Sequence, residues 1–240
     1  KRVFVLGVYA SAVHARWVGV NGKTIVNALA VASEPEIFWC GEGATEIISS
    51  IPIPTGAGSL VSAGSHFNGP SGRALNDHFL SPLGIDRAES WLCDLFPLSR
   101  KNERQAAALA RSYDLNAESL GLPTYHWPPV PVQLASAERR AVIEHEIDEA
   151  SPEIIITLGD LPLKWFTRHF GSKLRLSGYG MEHGEYGQLH PIQIADRKLQ
   201  LLPLVHPRQA AGLGVHSSKW SGLHGNWVSN VAGSLLGKRQ

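Results

Sequence analysis

With 240 residues, 43% of them hydrophobic, the chain is long enough to bury a core as one domain over residues 1–240, with room for a sizeable insertion. A net charge of +1 with 18% charged residues excludes a global field that would draw the protein to nucleic acid or membrane, so any anion binding must come from local patches. The two cysteines, Cys40 and Cys93, lie in apolar runs; they predict buried thiols rather than a disulfide or metal site, and four-cysteine iron–sulfur ligation is excluded within one chain. No apolar stretch reaches transmembrane length, and the opening KRVFVLGV predicts a strand rather than a signal peptide. A soluble cytoplasmic protein with no membrane partner is the expectation.

Val3 to Val8 predicts a buried strand that ends at Gly7-Val8-Tyr9-Ala10-Ser11, where small residues let backbone approach a ligand. Arg16 to Val20 and Lys23 to Val31 flank Asn21-Gly22, the signal of a type I′ hairpin. Glu36 to Cys40 predicts a further short strand, and Gly41 to Gly64 a Gly-, Ser- and Pro-rich loop with one helical turn near Thr45 to Ser49. His66-Phe67-Asn68-Gly69-Pro70-Ser71-Gly72 precedes helical spacing over Arg73 to Leu83. Phe67 in such polar, glycine-rich surroundings is either core or a stacking platform.

Ser90 to Phe96 predicts a strand that Asp94 interrupts. An acid in an apolar run costs several kcal/mol unless it is paired or functional; Arg87 and Arg100 are the candidate structural partners. Glu103 to Tyr113 has helical spacing, Leu122 to Val132 is a proline-rich excursion, and Ser136 caps an amphipathic helix that runs to Ala150. Glu153 to Leu158 is a fourth apolar run, closed by Gly159-Asp160, with Asp160 as the cap of a helix over Leu161 to Phe170 and Pro162 in its first turn. Tyr179 to His190 is a glycine-rich loop, Ile192 to Ala195 a strand with Asp196-Arg197 as its turn, and about Gly222 to Leu236 a closing helix.

The stretch Leu199 to Gln209, LQLLPLVHPRQ, organises the rest. Its apolar run predicts a strand buried on both faces of a parallel sheet, and Pro207 ends it with His206 at the carboxyl end. Ligands of open α/β sheets bind outside the carboxyl ends of strands, and a histidine there can serve a ligand near neutral pH. Four strands joined through helices predict a three-layer α/β/α sandwich with a central, mainly parallel four-stranded sheet.

The order and spacing of the strand-end residues resemble the uracil-DNA glycosylase superfamily along most of the chain. Gly7-Val8-Tyr9-Ala10-Ser11 is similar to its Gly-led turn after the first strand. Phe67-Asn68-Gly69-Pro70-Ser71-Gly72-Arg73-Ala74-Leu75-Asn76 is similar to its stacking Phe and Gly-x-x-Gly helix start, in the version of the thermostable bacterial branch. Asp94 stands where the family has a base-reading Asn, Pro152 to Pro162 resembles its strand and helix ending in Leu-Gly, and His206-Pro207-Arg208 stands for its His-Pro-Ser. The resemblance implies a monofunctional DNA glycosylase that flips a base out of the DNA, from a duplex or a single strand. Gly7, Val8, Tyr9, Ser11, Phe67 and Asp94 would bind the base, and His206 would stabilise its departing negative charge. Arg208, Gln209, His216, Ser217, Ser218 and Lys219 would hold the DNA. A monomer with neither cofactor nor metal is the expectation, and the matched motifs hold no lysine for a Schiff base.

Departures from the pattern bear on substrate. Where the best-known branch carries a water-activating Asp and a Tyr that blocks substituents at C5, this chain has Tyr9 and Ser11. Asn68 is the first candidate to position water, with His14 and Asp94 behind it. An ionised Asp94 only accepts hydrogen bonds and so suits the exocyclic amine of cytosine, while Ser11 leaves space at C5. Together these point to a 5-substituted cytosine such as glucosylated hydroxymethylcytosine in phage DNA, and to antiviral defence. Repair of uracil or deaminated bases is the enzymatic alternative, and a non-catalytic DNA-binding module on the same fold the other.

Overall fold

The computed structural model describes residues 1–124, 127–130, 135–170, 175–212 and 217–236. In chain order the strands are β1 (Val3–Tyr9), β2 (Ala12–Val18), β3 (Thr24–Ser33), β4 (Ser59–Ser62), β5 (Ser90–Phe96), β6 (Ile154–Leu158), β7 (His190–Ile194) and β8 (Arg197–Leu204). The helices are α1 (Ala44–Ser49), α2 (Pro70–Leu75), α3 (Glu103–Leu109), α4 (Leu115–Leu120), α5 (Ala137–Ala150), α6 (Asp160–Phe170), α7 (Pro207–Ala210), α8 (Ser217–Asn230) and α9 (Ala232–Leu235). None of the described helices is long and apolar enough to cross a membrane. The contacts divide the chain into two compact units, one of Lys1–Val8, Arg73–Pro97 and Gln133–Gln240, the other of Tyr9–Gly72 and Leu98–Val132.

The first unit holds a central sheet of order β5-β1-β6-β8-β7, and the fold is the expected α/β sandwich with a mainly parallel sheet. β1 and β8 flank β6 in parallel, Val3 opposite Ile154 and Leu204 opposite Leu158. These are the apolar runs of the sequence; every residue of β6 is buried, as a strand covered on both faces requires. The sheet has five strands, one more than expected, because β7 returns antiparallel on β8. The turn between them is Ala195-Asp196, one residue earlier than read, with Ala195 left-handed at φ 48°. Ser136 caps α5 as expected, its side chain accepting from Arg139 N–H. Asp160 is instead the first residue of α6, and its Oδ1 accepts from Leu176 N–H at 2.7 Å. α8 begins at Ser217, five residues before the expected start.

The second unit is built on an antiparallel sheet of order β3-β2-β4. Val13, Ala15, Trp39 and Ile48 form one buried cluster, and Trp17, Leu29, Leu109 and Tyr113 another. The β2–β3 hairpin is present, but its turn is not type I′. Gly22 N–H donates to Gly19 carbonyl at 2.9 Å, and of the two turn residues only Gly22 is left-handed, at φ 75°. This is the three-residue loop of a hairpin closed by a left-handed glycine. β4 lies within the expected loop, and its residues alternate exposed and half-buried. Glu36 to Cys40 is no strand: it bends, with Phe38 at φ 54°.

That bend explains the Gly-x-x-Gly spacing. The backbone of residues 38–41 passes over the start of α2, so a Cβ on Gly69 would lie 2.1 Å from the Cys40 carbonyl carbon and one on Gly72 2.1 Å from the Phe38 carbonyl oxygen. Gly69 is also left-handed, at φ 73°. Gly72→Ala should therefore cost about 1–3 kcal/mol of unfolding free energy in urea, as overpacking does. Gly225→Ala, with open space around it in α8, should stabilise slightly or change nothing.

Candidate active site

Asp94 sits near the carboxyl end of β5 and is 3% exposed. Its neighbours are set by α5. The Arg139 guanidinium donates to the Asp94 carbonyl at 2.6 Å, to Cys93 Sγ at 3.2 Å and to Glu146 at 2.9 Å, and Trp91 Nε1–H holds the other oxygen of Glu146. The cation whose field reaches the Asp94 carboxyl is thus Arg139, not the expected Arg87 or Arg100. Burial raises the Asp94 pKa to about 7, and the Arg139 charge only partly opposes it. Burial likewise pushes the Cys93 thiol up, beyond any reactive range at neutral pH.

His206 follows β8 in extended conformation, at φ −65° and ψ 143°, and caps α7. Its Nδ1 accepts from Arg208 N–H at 3.2 Å, so the neutral ring carries its proton on Nε2. The residue keeps a partly exposed surface, yet loss of water and then the nearby Arg208 charge lower its pKa to about 4. Two supports fix it. Gly159 N–H donates to the Leu204 carbonyl at 2.7 Å, and a Cβ there would meet His206 Cβ at 3.2 Å. On the other side Val205 N–H donates to the Tyr186 hydroxyl at 3.0 Å, which bonds His224 Nδ1 at 2.9 Å, while His224 Nε2 bonds the His78 carbonyl at 2.9 Å. Tyr186 and His224 are both 3% exposed, and Trp227 and Phe79 pack on the imidazole. The accepting Tyr186 oxygen sends its own proton to Nδ1, so every member of this buried chain has a partner. None of Gly159, Tyr186, His224 or Arg139 stood out in the sequence; Gly159, closing an apolar run, carried the only local signal.

In the second unit, Phe67 is 39% exposed, with His66 edge-on at 5.2 Å and His14 at 6.2 Å between ring centroids. Asn68 is 2% exposed. Its Oδ1 accepts from His14 N–H at 2.7 Å, and its Nδ2 donates to the His14 carbonyl at 2.9 Å and to Ser62 Oγ at 3.2 Å. Both amide protons and one Oδ1 lone pair are engaged, so the expected role of Asn68 in positioning water would fall to the second lone pair of Oδ1. Gly7 is buried in β1, with Val8 and Tyr9 half-buried after it. Ser11 N–H donates to Glu34 Oε2 at 3.1 Å, and the Ser11 carbonyl accepts from the Ser99 hydroxyl. The structure thus brings Phe67 and Asn68 together around His14, and puts Asp94 and His206 at the ends of β5 and β8, with β1 and β6 between those strands.

Among the expected DNA contacts, Arg208, Ser218 and Lys219 are exposed and Gln209 is half-buried. Ser217 is buried and its hydroxyl donates to the Gly212 carbonyl at 2.9 Å. Lys219 Nζ lies 4.0 Å from Glu182. His216 falls outside the described residues.

Two expectations follow. Unfolded Asp94 ionises from its usual 3.8, folded Asp94 only near 7, so ionisation works against folding increasingly as pH rises from about 4 to 7. Asp94→Asn should accordingly gain on the wild type across that window and stay ahead above it, by roughly 1–4 kcal/mol at pH 8; thermal melts at pH 4, 6 and 8 measure it. Tyr186→Phe leaves Val205 N–H without its acceptor and should cost about 1–3 kcal/mol in denaturant unfolding.

A family model described as Uracil DNA glycosylase superfamily matches residues 47–217, more than half of the chain. No curated protein matches it.

Proposed function

The chain belongs to the uracil-DNA glycosylase superfamily, and from that premise we propose that it is a monofunctional DNA glycosylase acting on a flipped, 5-substituted cytosine. The observation that carries the reading is His206: a neutral imidazole held by its Nδ1, with an Nε2 proton to donate. In this reading Nε2–H bonds the base O2 and stabilises the charge that develops as the N-glycosidic bond breaks. With its pKa lowered to about 4, the ring is neutral at physiological pH and donates from Nε2 as an uncharged group. Phe67 stacks on the base, a contact that tolerates any π-face, beside Gly7, Val8, Tyr9 and Ser11. Arg208, Gln209, His216, Ser218 and Lys219 engage the DNA backbone, which positions without reading sequence.

Asp94 chooses the base. At position 4 of the ring, cytosine offers an amine and uracil an oxygen. A carboxyl accepts from the amine whether ionised or not, but can bond the oxygen only while protonated. With a pKa of about 7, Asp94 tolerates uracil below neutrality and turns against it above. Ser11 leaves room at C5, and the polar segments 41–64 and 179–190 offer hydrogen bonds to a sugar there. Unmodified cytosine cannot be the target in a cell that must keep its own genome, so the substituent would select hypermodified phage DNA, and the role would be antiviral.

The test is incubation with duplexes carrying uracil, hypoxanthine, cytosine, hydroxymethylcytosine or its glucosylated form, followed by alkaline cleavage and mass spectrometry of the freed bases. Release of the substituted cytosine is expected. Its rate should fall by orders of magnitude in His206→Ala, and its preference over uracil should grow as pH rises through 7. Release of uracil alone would defeat the cytosine assignment, and no abasic site on any duplex would defeat the enzymatic one.

A further inference from the structure

The glycosylase reading leaves the attacking water without a base. Tyr9 and Ser11 bring no carboxylate to the first turn, and Asn68 has spent both its amide protons. What Asn68 does is grip a histidine. Its side chain holds the N–H and the C=O of His14 at once, the way a neighbouring strand would, and Asn68 directly follows the stacking Phe67. The His14 backbone is thereby held, and its imidazole lies 6.2 Å, ring to ring, from Phe67.

The ring's two nitrogens differ. Nδ1 is sealed from solvent and makes no hydrogen bond to a described residue; the backbones of Ala12 and Phe67 lie beside the ring. The tautomer that can act on water is the one with its proton on Nδ1. Nε2 is not among the sealed atoms, and in that tautomer it carries a lone pair. Burial lowers the His14 pKa, so the ring is neutral when water must be deprotonated.

We propose that His14 is the general base of the reaction, its Nε2 taking a proton from the water that attacks C1′ of the nucleotide whose base is stacked on Phe67. The C1′–N bond breaks with its electron pair leaving on the base, and the water oxygen bonds C1′. His14 returns its proton to solvent, from which the base anion takes one; one water is consumed. The inference rests on the glycosylase reading above. A rival group is Glu34, whose carboxylate accepts from Ser11 N–H.

The experiment is single-turnover release of whichever base the wild type frees from the duplex panel, with His14→Gln, His14→Ala and Glu34→Gln, each checked for folding by circular dichroism. The two His14 variants should lose about 100-fold or more, the usual range for general-base removal. Their affinity for a duplex with a non-cleavable nucleotide should stay within about 2-fold, and added imidazole should restore part of the His14→Ala rate. A folded His14→Gln within about 3-fold of the wild type, a loss that merely follows DNA affinity, or a dead Glu34→Gln beside an active His14→Gln would overturn the assignment and leave the glycosylase standing. A wild type that frees no base from any duplex would end both.

Discussion

Scarcity of water at the carboxyl ends of β5 and β8 is the constraint on which this protein's chemistry depends. It drives two opposite ionisable groups toward their neutral forms. Asp94, an acid, is pushed up to about 7, and His206, a base, is pushed down to about 4, so near physiological pH His206 is neutral and Asp94 is divided between its neutral and ionised forms. A neutral carboxyl donates and accepts, and a neutral imidazole donates from one nitrogen while its other is tied to backbone. For a site that must grip an uncharged base and then bear negative charge as the base leaves, polar groups fixed in advance serve better than groups that reorient during reaction.

Keeping such groups dry requires that the structure around them be fully bonded. Arg139 reaches from α5 to hold β5 by its carbonyl and is itself held by Glu146. The chain from Val205 through Tyr186 and His224 to His78 does the same beyond β8. A buried polar network that is completely satisfied fixes one geometry; one left half-bonded would cost more than an apolar core. In the second unit the same logic runs through Asn68, whose amide substitutes for a strand edge along His14, and through the two glycines that let residues 38–41 cross α2.

The sequence made some of this legible and hid the rest for physical reasons. β1, β5, β6 and β8 are apolar runs too continuous to be amphipathic surface, and each was readable. Ser136 announced α5 because a cap is a local interaction. β4 was unreadable because Ser59–Ser62 owes its strand to pairing with β2 rather than to its own composition. Asn21-Gly22 gave the hairpin but not its turn, since the dipeptide suits both a two-residue loop and the end of a three-residue one. Residue types at strand ends singled out Asp94 and His206 as candidates. Their protonation depends first on burial and, for Asp94, also on Arg139, 45 residues away, which no local pattern encodes. Asn68 shows the limit best: a polar residue beside the exposed Phe67 was read as a group for water, and its amide is bonded to the backbone of His14.

The central claim, a dehydrated and neutral His206 presenting Nε2–H, is open to direct measurement. In protein labelled with ¹⁵N imidazole, with His206→Gln used to assign its signals, the ring should show the Nε2–H tautomer at pH 7 and titrate only near pH 4. A His206 that titrates near 6.5, or that carries its proton on Nδ1 at neutral pH, would contradict the account.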